Sequence, residues 1–252
     1  MGVDIPIEPG PRFFLAGRSA SLSSHIVAEV REALYNKRLR PGDFLGTEKD
    51  LAAKFGVSRI VARDALRTLE ALGIAEIKMG KGGGARIAHG NPRLFAEAMA
   101  VQFDLTGVSA REVLDAQRAI ECMAAELAAE HGTAEDHARL HRLLDEAERT
   151  MEDVETYTRV SHDFHLAVAE ASHNRVLVTQ FISLHHVSWP RRNPTLTSKV
   201  SHHILDVHRE LAALIEMRDA ASARRLMDDH VKMIRARRVA ERDQGDGSTD
   251  CC

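Results

Sequence analysis

The strongest constraint in the sequence is a pair of short helical patterns separated by a glycine, GTEKDLAAKFGVSRIVARDALRTLEALG (residues 46–73). Thr47 and Ser58 are typical N-cap residues, while Gly56 and Gly73 each end a helical pattern. In the second pattern, apolar residues at helical spacing predict one buried face, made of Val61, Ala65, Leu66 and Leu69. Two short helices joined by a tight glycine turn predict a helix-turn-helix.

Both flanks of this helix pair extend the pattern. Upstream, apolar residues between Ser23 and Asn36 repeat at helical spacing, with Ser23 or Ser24 as the predicted N-cap. Downstream, IAEIKMGKGGGARIA (residues 74–88) predicts two strands joined by a glycine-rich turn. Helix, helix-turn-helix and hairpin is the order of a winged helix-turn-helix. We predict this domain over residues 21–88, after an N-terminal extension of residues 1–20.

The rest of the chain predicts an all-α second domain. Residues 89–93 are the predicted linker, and residues 239–252 have the composition of a disordered tail. Between them, over residues 94–238, the helical segments are 94–103, 109–131, 134–151, 154–172, 175–188, 199–217 and 220–238. Short connections between such segments predict an antiparallel helical bundle, and the fold class is therefore mainly α.

Charge and composition limit the possible functions. Residues 21–90 contain 12 Lys and Arg against 8 Asp and Glu, a balance of +4, although the whole chain carries −3. This asymmetry indicates that the first domain meets a polyanion. The sequence contains no apolar run of about 18 residues that would cross a membrane. The three cysteines form no disulfide framework, and we expect a cytoplasmic protein.

The basic side chains of the second helix predict a DNA-reading surface. Arg59 and Arg63 lie one turn apart, on the face opposite the predicted buried one. An Arg can bind guanine with two hydrogen bonds or clamp a phosphate. Lys49 on the preceding helix is placed to reach the DNA backbone, and Lys81 in the glycine-rich turn to reach a minor groove or a phosphate. A solvated basic face is the alternative, which the helix pair and the hairpin disfavour.

The segment LRPGDFLGTEKDLAAKFGVSRIVARDALRTLEALGIAEIKMGKGGGARIA (residues 39–88) resembles the winged-helix domain of the GntR family of bacterial transcription regulators. The resemblance rests on the Pro-Gly-x-x-Leu opening, Glu-x-x-Leu-Ala, Gly-Val-Ser-Arg and the Arg that follows. It implies that the DNA contacts are Lys49, Ser58, Arg59, Arg63 and Gly80. Two positions depart from the family pattern: Lys49 stands where Arg is usual, and Ile60 stands where a small polar residue is usual. We expect Ile60 to contact a thymine methyl group.

Histidines are concentrated in the second domain. His165, His208 and His230 each lie within or beside an apolar helical stripe. A buried imidazole without a partner costs about 1–3 kcal/mol of lost solvation. Two arrangements satisfy the three rings: separate hydrogen bonds, or one divalent metal ion that all three share.

Residues 94–235 resemble the FCD ligand-binding domain found in the FadR branch of the GntR family. The resemblance rests on Phe164-His165 followed by Ala-x-Ala-Ser-x-Asn, on HRELAALIE (residues 208–216) and on Asp229-His230. It implies a metal held by His165, His208 and His230.

The usual fourth ligand in that domain is an Asp one turn before the first His, and Ser161 stands there in this chain. His162 or a water molecule is the expected replacement. A site built from imidazoles favours zinc or nickel over manganese or magnesium.

A second departure lies in the first long helix of the bundle. The family commonly has an Arg four residues before the Glu that matches Glu121, and this chain has Gln117 there with Arg118 one residue along. A Gln can form hydrogen bonds with a carboxylate but cannot pair charge with it. Gln117, Arg118 and Glu121 are the predicted effector-binding residues, for an effector that is less anionic than usual or whose carboxylate binds the metal. Arg191 and Arg192 are alternative charge partners.

These features predict a cytoplasmic, homodimeric transcription regulator, expected to be a repressor and not an enzyme. It would bind double-stranded DNA at a palindromic operator and respond to a small organic acid in a metal-containing domain. The alternatives are a metal-dependent hydrolase with a three-His site and a metal-sensing regulator. A hydrolase function would leave the winged helix unexplained. The sequence also has no Asp or Glu one turn from any of the three histidines, at the spacing typical of a general base. Dedicated metal sensors usually use thiolates, and Cys122 is separated from all three histidines.

Overall fold

The computed structural model describes residues 21–80, 82–188 and 197–245, so Lys81, Arg191 and Arg192 lie outside the described residues. The chain forms two compact units, Met1–Leu94 and Phe95–Cys252. The elements of the first unit are α1 (Leu22–Tyr35), β1 (Phe44–Gly46), α2 (Glu48–Phe55), α3 (Arg59–Ala71), β2 (Ala75–Lys78) and β3 (Gly84–Ile87). The helices that follow are α4 (Pro92–Thr106), α5 (Ala110–His131), α6 (Ala134–Arg149), α7 (Val154–Ala171), α8 (Arg175–Ser188), α9 (Ser198–Glu216) and α10 (Ala220–Gly245).

The first unit is the predicted winged helix-turn-helix. Helices α1, α2 and α3 pack around an aliphatic core that includes Ile26, Val30, Leu51, Leu66 and Leu69. The strands form an antiparallel sheet in the order β1-β3-β2. A capping box starts α2, since Asp50 Oδ2 accepts the Thr47 backbone N–H at 2.8 Å while Thr47 Oγ1 accepts that of Asp50.

Three details of this unit differ from the prediction. The N-cap of α1 is Ser21 rather than Ser23 or Ser24, because its hydroxyl accepts the backbone N–H of Ser24. Ala65, Leu66 and Leu69 of α3 are buried as predicted, but the fourth buried position is Ala62, and Val61 is only partly buried. Strand β1 was not predicted; it is three residues long and depends on pairing with β3.

The boundaries of the helical unit differ from the prediction at both ends. Helix α4 begins at Pro92, inside the predicted linker 89–93, because proline suits the first helical position and the Asn91 side chain accepts the backbone N–H of Arg93. Helix α10 continues past Arg238 to Gly245, inside the predicted disordered tail. The residues there, VAERDQ (239–244), include good helix formers, and a glycine ends them.

The second unit is the predicted helical bundle, in which α5 packs against α7, α8, α9 and α10. Its core is built from small and aliphatic side chains of α5 with larger ones of α7 and α9, such as Tyr157, Phe164 and Leu211. Alanines at four positions of α5 are buried and let its neighbours approach closely; they are Ala124, Ala125, Ala128 and Ala129. Among the helices of the described ranges, none combines the length and the apolarity that crossing a bilayer requires.

Candidate DNA-binding surface and metal centre

The start of α3 is exposed and carries most of the predicted DNA contacts. Gly56 ends α2 in the left-handed conformation, with φ of 63°, and Ser58 then caps α3 by accepting the Val61 backbone N–H at 3.3 Å. Ser58, Arg59 and Ile60 are all exposed, and Ile60 exposes 77% of its surface. A large apolar side chain with this exposure, at the start of the second helix of a helix-turn-helix, is free to contact a binding partner.

Arg63, the other predicted reading residue, is engaged by a side chain that the sequence analysis did not single out. Arg63 Nε and Nη2 donate to the two carboxylate oxygens of Glu48, at 2.7 and 2.9 Å. These hydrogen bonds hold the pKa of Glu48 below its ordinary value. Both side chains are partly exposed, so the pair fixes the direction of the guanidinium more than it stabilises the fold. The two residues are far apart in sequence, and no local spacing could reveal the contact.

The other predicted contacts lie at the edges of this surface. Lys49 is exposed on α2. Gly80 begins the turn between β2 and β3 with φ of 97°, a conformation that favours glycine. Apart from its two chain neighbours, no described residue has an atom within 4 Å of where a Cβ of Gly80 would be, so this side of its backbone is open to a partner. Lys81, the other predicted contact of this turn, lies outside the described residues.

Three helices bring the predicted metal ligands together in the core of the second unit. His165 on α7, His208 on α9 and His230 on α10 are all buried. The Nε2 atom of His208 lies 3.1 Å from that of His165 and 3.1 Å from that of His230. The three imidazoles form a group with the spacing that a single metal ion requires.

Hydrogen bonds alone do not satisfy this arrangement. A neutral ring nitrogen carries either one proton or one lone pair, so His208 Nε2 can satisfy only one of its two neighbours well. Burial lowers the pKa of His230 to about 3 and holds that of His208 well below its ordinary value, and both rings are therefore neutral at pH 7. Tetrahedral zinc, with Zn–N distances of about 2.0–2.1 Å, holds its nitrogen ligands about 3.3–3.4 Å apart. The donor set and its spacing fit a divalent ion such as zinc.

Glu121 lies behind His165. Its Oε2 atom is 2.6 Å from His165 Nδ1, and both residues are buried. The two atoms are not aligned as a hydrogen bond, and each is left without another partner. The sequence predicts Glu121 as an effector-binding residue, and in the structure Glu121 contacts a predicted metal ligand.

The position of the missing Asp is not filled by another histidine. Ser161 is partly buried on α7, one turn before His165. The ring of His162 instead packs edge-on against His185, with centroids 4.2 Å apart, and lies 5.5 Å from the ring of Phe181. His162 is therefore not part of the three-histidine group within the described residues.

The remaining predicted effector residues separate into two environments. Gln117 is buried on α5, with 3% of its surface exposed. Arg118 forms an ion pair with Asp228 on α10, and Asp228 also lies 2.5 Å from Lys232 Nζ. Cys122 Sγ lies 3.6 Å from the same carboxylate and does not belong to the histidine group. The guanidinium of Arg118 is thus already engaged by a carboxylate of the protein.

Comparison with known proteins agrees with both units. Residues 22–84 match the model of bacterial regulatory proteins of the gntR family, and residues 112–233 match the FCD domain. A putative L-lactate dehydrogenase operon regulatory protein of Escherichia coli is 30% identical over 223 residues, which cover 84% of this chain and 84% of that protein. The chain belongs to the GntR family.

One further relative of this GntR regulator is similar in sequence, and one solved structure shares its fold. An Uxu operon regulator of Haemophilus influenzae is 29% identical over 202 residues, covering 78% of this chain and 74% of that protein. In structure, the regulator is similar to a Streptococcus agalactiae GntR protein, with a TM-score of 0.64, 20% identity and coverage of 86% of this chain and 99% of that one. The matching families and relatives are transcriptional regulators. The chain is accordingly a DNA-binding regulator with an effector-binding domain, and it is not an enzyme.

Proposed function

We propose that this regulator is a cytoplasmic homodimer that represses its targets by binding a palindromic operator and that releases the DNA when a small organic acid enters its FCD domain. The DNA-contacting residues in this proposal are Lys49, Ser58, Arg59, Ile60, Arg63, Gly80 and Lys81. A dimer is favoured because one winged helix with a modest positive charge makes few phosphate contacts, and two copies double them. Two copies related by a two-fold axis also suit a palindromic site.

The proposed effector domain holds a divalent ion, zinc or nickel, through His165, His208 and His230. The observation that carries this proposal is the convergence of three buried imidazoles whose Nε2 atoms cannot all be satisfied by one another. When bound, the ion supplies a Lewis-acidic position to which a carboxylate or hydroxyl oxygen of an effector can bind. Gln117, which is buried on the same bundle, is the proposed hydrogen-bonding partner of that effector.

The organic-acid class has support from a relative's name. The Escherichia coli relative is named for an L-lactate dehydrogenase operon, and L-lactate is a small hydroxy acid. A carboxylate with a neighbouring hydroxyl group is a suitable ligand for a metal that leaves coordination positions open.

Metal content tests the proposed site. The full-length protein, stripped with a chelator, reloaded with zinc and desalted, should retain one zinc per chain by elemental analysis. The double variant His208→Ala/His230→Ala should retain none. The control is His141→Ala, which removes an exposed imidazole that contacts Glu216. Equal zinc retention by the double variant would show that these histidines do not hold the metal.

Effector binding is tested by thermal unfolding in the presence of small acids. A ligand that binds only the folded protein stabilises it by about 2.7 kcal/mol at a concentration of 100 times Kd. L-lactate and related hydroxy acids should raise the unfolding temperature of the zinc-loaded protein more than that of the chelator-treated protein. An equal rise in the unfolding temperature of the zinc-loaded and the chelator-treated protein would show that effector binding does not require the metal.

A further inference from the structure

The three-histidine site has an unusual charge balance. Three neutral imidazoles add no negative charge to a divalent ion, and Ser161, one turn before His165, adds none either. A dication in a buried site without a balancing anion carries a large desolvation cost. A carboxylate buried near the histidines would meet the need for a balancing anion.

Glu121 is the carboxylate that meets this need. It lies on α5, is buried, and directs Oε2 at His165 Nδ1 from 2.6 Å. Among the described residues, no Lys or Arg forms an ion pair with Glu121, and Oε2 has no hydrogen-bond partner. The nearby cation on the same helix, Arg118, is paired with Asp228. Within the described residues, Oε2 of this buried carboxylate therefore faces the His165 imidazole, on the side of the ring opposite the nitrogen that would hold the ion.

We propose that Glu121 is the charge-balancing and positioning residue of the metal site, and that the site thereby selects singly charged carboxylates. This role of Glu121 depends on the proposed metal site, but three histidine ligands could bind a metal without it. Glu121 Oε2, 2.6 Å from His165 Nδ1, is close enough to accept the Nδ1–H once the two groups align, which would keep the proton on that nitrogen and leave the Nε2 lone pair for the metal. It also supplies the negative charge that Ser161 cannot supply.

The ligand class follows from the remaining charge. A dication and one carboxylate leave a single positive charge in the core of the bundle. One carboxylate group placed on the open coordination position cancels that charge, whereas a second would leave a buried anion in excess. Gln117, buried on the same helix as Glu121, is neutral and adds no charge for a second carboxylate. The site therefore fits a monocarboxylate better than a dicarboxylate.

The first test measures zinc affinity of the full-length protein by competition with a chelator. Glu121→Gln should lower the affinity by about 10–100-fold, as the loss of partners behind metal-bound histidines typically does. The matched control is Glu126→Gln, which removes the same charge from the same helix at a partly exposed ion pair with Arg224. Adding Ser161→Asp to Glu121→Gln should restore the affinity, because it returns a carboxylate one turn from His165.

The second test uses acetate as the monocarboxylate probe. Acetate should raise the zinc affinity of the wild-type protein, since two ligands that stabilise the same site increase each other's affinity. In Ser161→Asp alone, where Glu121 and the new Asp already neutralise the ion, acetate should have no effect. The acetate experiment does not use the Glu121→Gln variant and is valid even if that variant does not fold. Circular dichroism and thermal unfolding would show whether Glu121→Gln folds.

The outcomes separate this inference from the proposed function. If the wild-type protein binds no zinc, both fail. If it binds zinc and Glu121→Gln binds zinc equally tightly, or the added Asp restores nothing, the role of Glu121 is wrong and the three-histidine site stands. If acetate has the same effect on the wild-type protein and on Ser161→Asp, the selection of monocarboxylates by charge is wrong.

Discussion

At the scale of single residues, the arginines of this regulator divide into those that are engaged within the protein and those that are open. Arg63 is held by both oxygens of Glu48, and Arg118 by Asp228. Arg59 is exposed and forms no ion pair within the described part of the chain. In the proposed DNA complex, the open guanidinium of Arg59 can approach a base edge directly, while the guanidinium of Arg63 has its orientation set by Glu48 beforehand.

Replacing Arg59 by Ala should remove specific operator recognition. A bidentate contact between Arg and guanine contributes about 1–3 kcal/mol of discrimination between bases. The measurement is fluorescence anisotropy on an operator selected from a random DNA pool and on a scrambled duplex of the same composition. Arg67→Ala is the matched control, since Arg67 is exposed two turns further along α3. If the Arg59→Ala variant distinguishes operator from scrambled DNA as well as the wild-type protein does, Arg59 does not contact the bases.

Replacing Glu48 by Gln should tighten binding to non-specific DNA and weaken discrimination between operator and scrambled DNA. The carboxylate lies beside Arg63 and offsets its attraction to phosphates, so its loss frees about one more charge for DNA. Titrations at several salt concentrations should show a dependence of log affinity on log salt that is steeper by about 0.9. Glu70→Gln, at an exposed position of the same helix pair, controls for the change in net charge. A Glu48 variant that matches this control would show that the ion pair plays no part in DNA binding.

At the scale of elements, local chemistry in the sequence predicted the helices well and the contacts between them poorly. The helix predicted at 109–131 is Ala110–His131, because Ser109 and Glu112 form a capping box that can be recognised from sequence. Strand β1 depends on pairing between Phe44 and Arg86, which no local pattern encodes. The same limit applies to the candidate sites: helical spacing pointed to the three histidines, but the approach of Glu121 to His165 depends on how α5 packs against α7.

The capping box of α5 gives a prediction at this scale. Ser109→Ala should lower the free energy of unfolding of the helical unit by about 1 kcal/mol, because the first turn of α5 loses the hydroxyl that accepts the Glu112 backbone N–H. Scanning calorimetry of the full chain measures the change. Thr197→Ala is the matched control, since Thr197 is the N-cap of α9 but its side chain makes no capping hydrogen bond. An equal decrease in the free energy of unfolding of the two variants would mean that the capping hydrogen bond of Ser109 does not stabilise the protein.

At the scale of the whole molecule, the proposed dimer binds two half-sites at once, so that two weak interactions with DNA add up to one specific complex. Each winged helix presents a single reading helix, and the two-fold relation of the subunits should match the two-fold relation of the operator's half-sites. Recognition then depends on the distance and the rotation between half-sites, not only on their sequence.

Operator spacing tests this relation. Inserting about five base pairs between the half-sites turns them to opposite faces of the duplex, since one helical turn is about 10–10.5 base pairs. The affinity should fall to that for DNA with one intact half-site. A gel-shift series with insertions of increasing length provides the measurement, and a duplex with one scrambled half-site is the reference. Affinity that does not depend on the insertion would contradict a dimer that reads both half-sites at once.

The exposure of Ile60 gives its proposed contact with a pyrimidine a consequence for the chemical modification of the target DNA as well as for its sequence. An isoleucine that packs against a pyrimidine in the major groove recognises a methyl group and has no hydrogen bond with which to identify the base that bears it. Thymine and 5-methylcytosine carry that methyl group on the same ring carbon. At this one position, enzymatic methylation of a cytosine would imitate a change of base, so a cell's own DNA methyltransferases could alter which sites this regulator occupies without altering the genome sequence.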